Sequence, residues 1–285
     1  MLFRSTTNVS TRLPNGLPVA TGLFPASSAV AQALGASALK PEKSKNLTAG
    51  MTATFGGIDL SIDFYRIALH DRVNAISTQT VSSDPSAGAA YDNYLALVGA
   101  GVVGAESIGG VFYFTNAFDT ITKGIDFVAT TKVDMGSAGM TSLSLAANYN
   151  KTKFDGDIDD LFNAESQYDF LYGEPNWRGI FTAIHNVGDF TGLARVSYYG
   201  SYSNSNGSPI TDIQDFGKEF MVDLELSYTF MDHYKVALGA RNVLDNYPDP
   251  GAAALGETGQ GRVYRSDSIV DWQGGYYYGR VEVSF

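Results

Sequence analysis

The sequence contains no cysteine among its 285 residues. That absence excludes a disulfide framework, a zinc site with cysteine ligands and a cysteine nucleophile. Basic charge is also scarce, because 19 Lys and Arg residues stand against 30 Asp and Glu residues, for a net charge of −11. Without a basic patch, we expect no nucleic-acid partner.

Long apolar runs are missing as well. The most apolar stretch, residues 96–105, is about half of the ~20 residues that a membrane-spanning helix needs. The N-terminal residues also lack the apolar core of a signal peptide. If the protein is exported, we expect that the sequence given is a fragment whose true N-terminus is missing.

The residues that are plentiful favour strands. The chain has 31 Gly, 17 Tyr and 17 Phe, a composition typical of many strands joined by turns. Residues 219–230 alternate with a period of two, with charged side chains such as Asp223 and Glu225 on one face. The other face is apolar and contains Phe220, Val222, Leu224, Leu226, Tyr228 and Phe230.

Two hairpins can be given a register. A turn at residues 231–233 pairs Phe230 with Tyr234, so that apolar residues oppose each other and Asp223 lies opposite Arg241. The turn Gly56-Gly57 joins a second pair of alternating strands. Further strands are predicted at about 111–133 (interrupted near 116–120), 141–155, 175–187, 191–204 and 274–285, which gives about nine in total.

The connections alternate between short and long. Short turns are expected near residues 56–57, 134–140, 188–190 and 231–233, and long loops near 71–110, 156–174, 205–217 and 245–273. Short periplasmic turns and long extracellular loops are typical of an outer-membrane barrel. We therefore predict an all-β fold, an antiparallel transmembrane β-barrel segment. Residues 1–43 are predicted as an extracellular loop region with a short helix at 26–36, and 44–285 as the C-terminal barrel segment.

Several motifs resemble those of TonB-dependent outer-membrane receptors. They occupy residues 39–44 (LKPEKS), 63–67 with 71–73 (DFYRI, DRV), Asn116 with 123–126 (KGID), and 242–248 (NVLDNYP). The last strand resembles the terminal assembly signal of outer-membrane barrels, through Tyr277, Val281, Val283 and Phe285. The resemblance covers about residues 34–285.

The resemblance implies a receptor of the bacterial outer membrane with a plug domain inside about twenty-two strands. This chain would be an incomplete barrel without the plug. The whole receptor would take up a scarce nutrient, such as a siderophore, vitamin or oligosaccharide, driven by the TonB complex acting through the missing N-terminal part. The implied partners are outer-membrane lipid, the plug with the remaining strands, the TonB complex and the nutrient. We expect neither a cofactor nor an enzymatic activity.

Two groups of side chains are candidate functional residues. Ligand-binding candidates lie at the predicted extracellular end: Tyr172, Trp177, Arg178, Arg265 and Trp272. For the tryptophans, an aromatic girdle at the membrane boundary is the favoured interpretation. Charged residues predicted to face the lumen, and to pack against a plug, are Arg195, Asp223, Glu225, Arg241, Arg280 and Glu282.

Metal binding and catalysis are weakly supported. Residues 155–160 (DGDIDD) place oxygen ligands at alternate positions, as a calcium loop does, but the glycine and glutamate expected further along are absent. A solvated acidic loop is favoured, so we assign no metal ligands, and a weak divalent-ion site in this extracellular loop is the alternative. The three histidines, His70, His185 and His233, are far apart in the strand map.

Two alternatives remain open at this level. A passive, porin-like small barrel would need an even number of strands and a signal peptide. A soluble all-β binding domain would need a second sheet to cover its apolar faces, and partition into detergent separates it from a membrane barrel.

Overall fold

The computed structural model describes residues 5–6, 20–158, 160–207, 209–231, 233–252, 262–265 and 268–284. Its strands are β1 (Ser5–Thr6), β2 (Ala20–Phe24), β3 (Lys43–Phe55), β4 (Ile58–Ala75), β5 (Gln79–Thr80), β6 (Ile108–Asp134), β7 (Met140–Ile158), β8 (Trp177–Val187), β9 (Phe190–Tyr199), β10 (Tyr202–Asn206), β11 (Asp212–Phe216), β12 (Glu219–Phe230), β13 (Tyr234–Arg241) and β14 (Tyr276–Val283). Its α-helices are α1 (Ala29–Ala33), α2 (Ala89–Gly99) and α3 (Ala164–Tyr172). Short 3₁₀ turns lie at Ala105–Ser107 and Gly136–Ala138.

The chain divides into two compact units. Unit 1 consists of Met1–Lys45, Ala68–Ile121 and Lys153–Gln167, and unit 2 of Asn46–Ile67, Thr122–Thr152 and Tyr168–Phe285. Strands β3, β4, β6 and β7 contribute residues to both units.

Unit 2 contains a nine-stranded antiparallel sheet in the order β3-β4-β6-β7-β8-β9-β12-β13-β14. Both the predicted fold class and the predicted number of strands are confirmed. Strands β3 and β14 are the edges of the sheet within the described residues, so this is an unclosed barrel segment.

The predicted hairpin of β12 and β13 is confirmed in its register. Phe230 pairs with Tyr234, and Leu226 pairs with Leu238. The β12–β13 ladder ends at Leu224 and Ala240, one pair short of Asp223 and Arg241, so their predicted opposition stays a prediction. Asp223 lies opposite Arg195 of β9, and its Oδ1 accepts a hydrogen bond from the backbone N–H of Asn242 at 2.9 Å. The chain leaves the ladder at this point, because Asn242 has a left-handed φ of 47°.

One face of this sheet is apolar and open. Side chains from three strands show this clearly, since Phe55 and Leu47 of β3 are 81% and 69% exposed, and Leu238 of β13 and Val281 of β14 are each 70% exposed. In a membrane barrel this outer face contacts lipid, whereas the polar residues of the same strands face the lumen.

Some predicted boundaries are corrected. Strand β6 runs without a break through residues 116–120, where an interruption was expected. The predicted strand at 191–204 is two strands, because β9 ends at Tyr199 and β10 begins at Tyr202. The predicted long loops contain α2, α3 and the β10–β11 hairpin.

Unit 1 has its own hydrophobic core. Helix α1 lies inside the interval 26–36 where a short helix was predicted, and the Ser28 hydroxyl caps it by accepting a hydrogen bond from the backbone N–H of Ala31. Buried Leu97 of α2 packs in the same core as Val111 and Tyr113 of β6. Within the described part of the chain, no helix is long and apolar enough to cross a membrane.

Candidate functional site

Three of the motifs noted in the sequence meet in unit 1 around Asn116. Its Oδ1 accepts a hydrogen bond from the backbone N–H of Lys40 at 2.8 Å. Its Nδ2 donates to the carbonyl oxygens of Lys40 at 3.0 Å and Asp71 at 2.6 Å. One amide side chain therefore joins two backbone segments that are distant in sequence.

Carboxylates satisfy the neighbouring backbone groups. Asp71 has a left-handed φ of 54°, and its N–H donates to Asp119 Oδ1 at 2.8 Å. The other Asp119 oxygen lies 2.8 Å from His70 Nδ1. Glu42 accepts a hydrogen bond from the N–H of Val73 at 2.7 Å. These contacts replace ladder hydrogen bonds at an irregular position of β4, so this part of the motif set has a folding role.

The polar face of unit 2 contains two clusters with the same geometry. In the first, the Tyr65 ring of β4 lies over Gly124 of β6, where any Cβ would collide with it. The Tyr65 hydroxyl accepts a hydrogen bond from Asn148 Nδ2 of β7 at 3.0 Å, and the same nitrogen donates to Asp126 at 2.6 Å. The close approach of this aromatic ring explains why a glycine suits position 124.

In the second cluster, the Tyr278 ring of β14 lies over Gly239 of β13. The Tyr278 hydroxyl donates to Glu225 Oε2 of β12 at 2.8 Å. Arg280 donates to the other Glu225 oxygen at 2.9 Å, and it lies 3.6 Å from Glu282. In both clusters a tyrosine crosses a glycine and reaches a polar group two strands away, which holds three strands together. Sequence reasoning missed Gly239; the only local signal was a small residue on the polar face of a strand.

All six charged residues predicted to face the lumen lie on this polar face. The registers place Arg195 opposite Asp223, and Glu225 opposite Gly239, which in turn lies opposite Tyr278. Arg241, Arg280 and Glu282 share the face of Tyr278, by alternation along β13 and β14.

A groove of about 410 Å³ lies near the short-turn end of the same face. Half of its ten lining residues have hydroxyl side chains, and Asp59 and Lys132 are its charged groups. Arg195 Nε donates to Thr182 Oγ1 at 3.3 Å at its border. Such a surface offers hydrogen-bond donors and acceptors to a polypeptide or to water, but no group placed for covalent chemistry.

Aromatic side chains form two rows on the outer face. The first row contains Trp177, 4.7 Å from Tyr149, and Tyr198, 5.0 Å from Phe220 (ring centroids). At the opposite end, the rings of Phe190 and Tyr228 are 4.7 Å apart, and those of Phe230 and Tyr234 are 5.1 Å apart.

The spacing of the rows fits a membrane. Phe220 and Tyr228 are eight residues apart on β12, which is roughly 26 Å along a strand. A tilt of about 40° reduces this distance to roughly 20 Å across the bilayer, close to the height of an apolar band between two aromatic girdles.

The predicted ligand-binding residues lie in two connections or, for Trp177 and Arg178, at the start of β8. Tyr172 ends α3, and its ring is 4.7 Å from that of Tyr168. Arg178, just past the next connection, donates to Glu174 at 3.1 Å. Trp177 faces outward beside Tyr149, a placement that favours the girdle interpretation.

The remaining two candidates precede β14. Trp272 is 58% exposed, and the carbonyl oxygen of Arg265 accepts a hydrogen bond from the Ser268 hydroxyl.

The motif at 242–248 directly follows the end of β13 at Arg241. Asn242 exchanges two hydrogen bonds with the backbone of Asn246, and Asp245 accepts one from the N–H of Gly275. The hydrogen bond and the negative charge of Asp245 raise the pKa of the Tyr247 hydroxyl above its ordinary value. Tyr247 also stacks on Tyr264, at 6.0 Å between centroids.

Several predictions reach residues outside the described ranges. Such residues are Asp159 of the acidic stretch 155–160, the terminal Phe285 of the assembly signal, and parts of the predicted loops at 1–43, 205–217 and 245–273. Among the described residues, no group of three His, Cys, Asp or Glu side chains could hold a metal ion.

Several solved outer-membrane proteins resemble this chain in fold. The outer membrane transporter YddB from Escherichia coli is 11% identical, with a TM-score of 0.57, over 87% of this chain and 33% of that protein. The FrpB iron transporter from Neisseria meningitidis (F5-1 variant) is 11% identical, with a TM-score of 0.56, over 86% and 32%. A mutant of the ferric enterobactin receptor from Pseudomonas aeruginosa is 12% identical, with a TM-score of 0.54, over 95% and 33%.

The chain spans about a third of the length of these solved relatives. No curated protein matches the sequence. The family model described as "TonB dependent receptor-like, beta-barrel" matches residues 3–243. This match covers most of the chain, and it agrees with the two-faced antiparallel sheet. The chain therefore belongs to the β-barrel family of TonB-dependent receptors, proteins of the Gram-negative outer membrane that are receptors rather than enzymes.

Proposed function

We propose that this chain supplies barrel wall and extracellular loops to a receptor that takes up a scarce nutrient in a step driven by the TonB complex. The observation that carries the proposal is the division of the unit 2 sheet into an apolar outer face and a hydrogen-bonded polar inner face. A wall of this kind separates lipid from a polar interior. The family supplies the expectation that a plug domain fills that interior.

The inner face suits a protein occupant. The Glu225 side chain is only 17% exposed, whereas Arg280 remains 48% exposed and keeps donors available beyond its carboxylate partners. The groove beside Asp59 and Lys132 adds uncharged hydroxyls. Groups of this type form the numerous, individually weak contacts of an interface that must rearrange during transport.

The proposed nutrient site is at the long-loop end of the sheet. Tyr172 and Trp272 are exposed aromatic residues there, and Arg178 at the start of β8 and Arg265 of the last connection are cations at the same end. A solved relative is an iron transporter, and another is a copper transporter. Metal ions and their chelates are therefore the first nutrients to test, followed by vitamins and oligosaccharides.

Deletion of the gene tests the proposal. Two strains of the source bacterium are compared, one in which this gene is deleted and one that lacks TonB. Each is grown with a ferric chelate, copper, cobalamin or an oligosaccharide as the limiting nutrient. We expect growth to fail on one nutrient in both strains, with saturable uptake in the parent. Uptake that rises linearly with concentration and survives the loss of TonB would instead identify a passive, porin-like barrel.

A point variant then tests the loop site. We expect Arg178→Ala to weaken nutrient binding about tenfold, equivalent to about 1.4 kcal/mol. Trp177→Phe is the matched control on the adjacent residue, because Trp177 faces outward and its replacement keeps an aromatic ring against Tyr149. Equal affinities in these two variants would remove Arg178 from the proposed site.

A further inference from the structure

Lysine side chains face outward from two neighbouring strands at the long-loop end of unit 2. Thr122 and Asp126 of β6 contact Thr152 and Asn148 of β7 on the polar face, at 2.7 Å and 2.6 Å. Side chains alternate along a strand, so Lys123 lies on the opposite, outer face.

The same contacts fix the register of β6 against β7. Residue 122 meets 152 and residue 126 meets 148, so Lys123 lies directly opposite Lys151. On the other side of β6, the Tyr65 ring lies over Gly124 on the inner face. Arg66, the next residue of β4, therefore faces outward at the level of Lys123.

We call these three residues, Arg66, Lys123 and Lys151, the basic row. Like charges directly opposite each other on adjacent strands are destabilising, because their Cβ atoms are only about 5 Å apart. None of the three forms an ion pair with a carboxylate of the described residues. Lys123 and Lys151 are exposed, and Arg66 is half-buried. The row therefore has uncompensated positive charge pointing away from the barrel interior.

The position of the basic row relative to the membrane indicates which kind of anion it would bind. Lys151 lies two residues beyond Tyr149, whose ring packs against Trp177 in the aromatic row at the long-loop end. Aromatic girdles mark the boundary of the apolar band, so the basic row lies at the level of the lipid headgroups. Basic side chains at this depth attract anionic headgroups. We propose that the basic row binds the phosphate groups of a phosphorylated lipid in the outer leaflet.

Fluorescence of Trp177 provides the assay. The chain has two tryptophans, so a Trp272→Phe background makes Trp177 the only one. The detergent-solubilised protein is titrated with diphosphoryl lipid A, with lipid A lacking both phosphates, and with inorganic phosphate. We expect a saturable change with the diphosphorylated lipid, at least tenfold weaker binding of the dephosphorylated lipid, and no change with inorganic phosphate at the same concentrations.

A charge-matched pair of variants tests the residues. Lys123→Gln with Lys151→Gln removes two outward charges, and Lys132→Gln with Lys235→Gln removes two from the inner face. We expect the first variant to bind diphosphoryl lipid A at least tenfold more weakly than the second. Without lipid, the first should unfold at the same temperature as the parent or a higher one, because it loses a like-charge repulsion.

Several results would overturn the proposal. They are equal lipid affinity in the two variants, equal binding of the two forms of lipid A, and an inorganic phosphate signal at the concentrations where the lipid acts. A clear loss of thermal stability in Lys123→Gln with Lys151→Gln, measured without lipid, would also contradict it. Because no arm uses the nutrient, the outcome is independent of the proposed transport function.

Discussion

A methyl group added at Gly239 should break the tyrosine crossing between β12 and β14. The new Cβ would collide with the Tyr278 ring, so the ring must move away from Glu225, its hydrogen-bond partner at 2.8 Å. A hydrogen bond to a charged group contributes about 1.5–3 kcal/mol. Replacement of a strand glycine by alanine otherwise gains roughly 0.5–1 kcal/mol. We therefore expect Gly239→Ala to lower the free energy of unfolding by about 1–2 kcal/mol.

The neighbouring strand provides a matched control. A Cβ at Gly279 would meet Leu238 Cδ2 at 3.7 Å, which is an ordinary contact, so Gly279→Ala should be neutral or slightly stabilising. The assay is urea unfolding of the protein in phospholipid vesicles, followed by tryptophan fluorescence. In a Tyr278→Ala background, Gly239→Ala should lose its cost, because the ring is no longer present. Equal effects of the two alanine variants, or strict additivity of Gly239→Ala and Tyr278→Ala, would refute the reasoning.

Three further changes have expected outcomes. Asn116→Ala leaves the backbone groups of Lys40 and Asp71 without this hydrogen-bond partner and should destabilise unit 1 by about 2 kcal/mol. We expect faster proteolysis within residues 20–121, and an unchanged rate of proteolysis would contradict the expectation. Tyr65→Phe removes one hydrogen-bond acceptor of Asn148 but keeps the ring over Gly124. We therefore expect the free energy of unfolding in the same urea assay to fall by only about 1 kcal/mol. A larger fall for Tyr65→Phe than for Tyr65→Ala would contradict this reasoning. Asp245→Asn should lower the pKa of Tyr247 toward its ordinary value, because Asp245 raises it. The contribution of this contact to stability is present below the ordinary tyrosine pKa and is lost as pH rises through the raised one; an ultraviolet titration of phenolate that is identical in variant and parent would contradict the assignment.

The strand faces and the β12–β13 register could be predicted because both depend on local information. Period-two alternation needs only neighbouring residues, and a short turn fixes which residues pair. The apolar face of Leu224 and Leu226 and the opposition of Phe230 and Tyr234 therefore follow from the sequence alone.

Hydrogen-bond partners that are far apart in the sequence could not be predicted from local patterns. Asn116 bonds residues that lie 76 and 45 positions earlier in the chain, and no local pattern indicates them. Polar residues near 116–120 suggested a break in the strand, yet β6 continues because their side chains satisfy the backbone of other segments. Helix α2 was missed because it is enclosed by glycine-rich sequence typical of loops.

The inner-face clusters show the same limit at the candidate site. The charges of Glu225 and Arg280 could be assigned to one face by alternation, but their meeting across β13 depends on three strands being adjacent. The role of Gly239 appears only when the Tyr278 ring is placed over it.

Cysteine scanning of β12 tests the two-faced wall most directly, since the chain has no native cysteine. Single cysteines are placed at consecutive positions 222–227 in membranes, then probed with a water-soluble maleimide and, after attachment of a fluorophore, with brominated lipid as quencher. The account predicts reaction with the maleimide at 223 and 225, weaker reaction at 227 because Ser227 is buried, and quenching by lipid at 222, 224 and 226. Equal labelling of all six positions without lipid quenching would contradict a membrane wall and favour a soluble sheet.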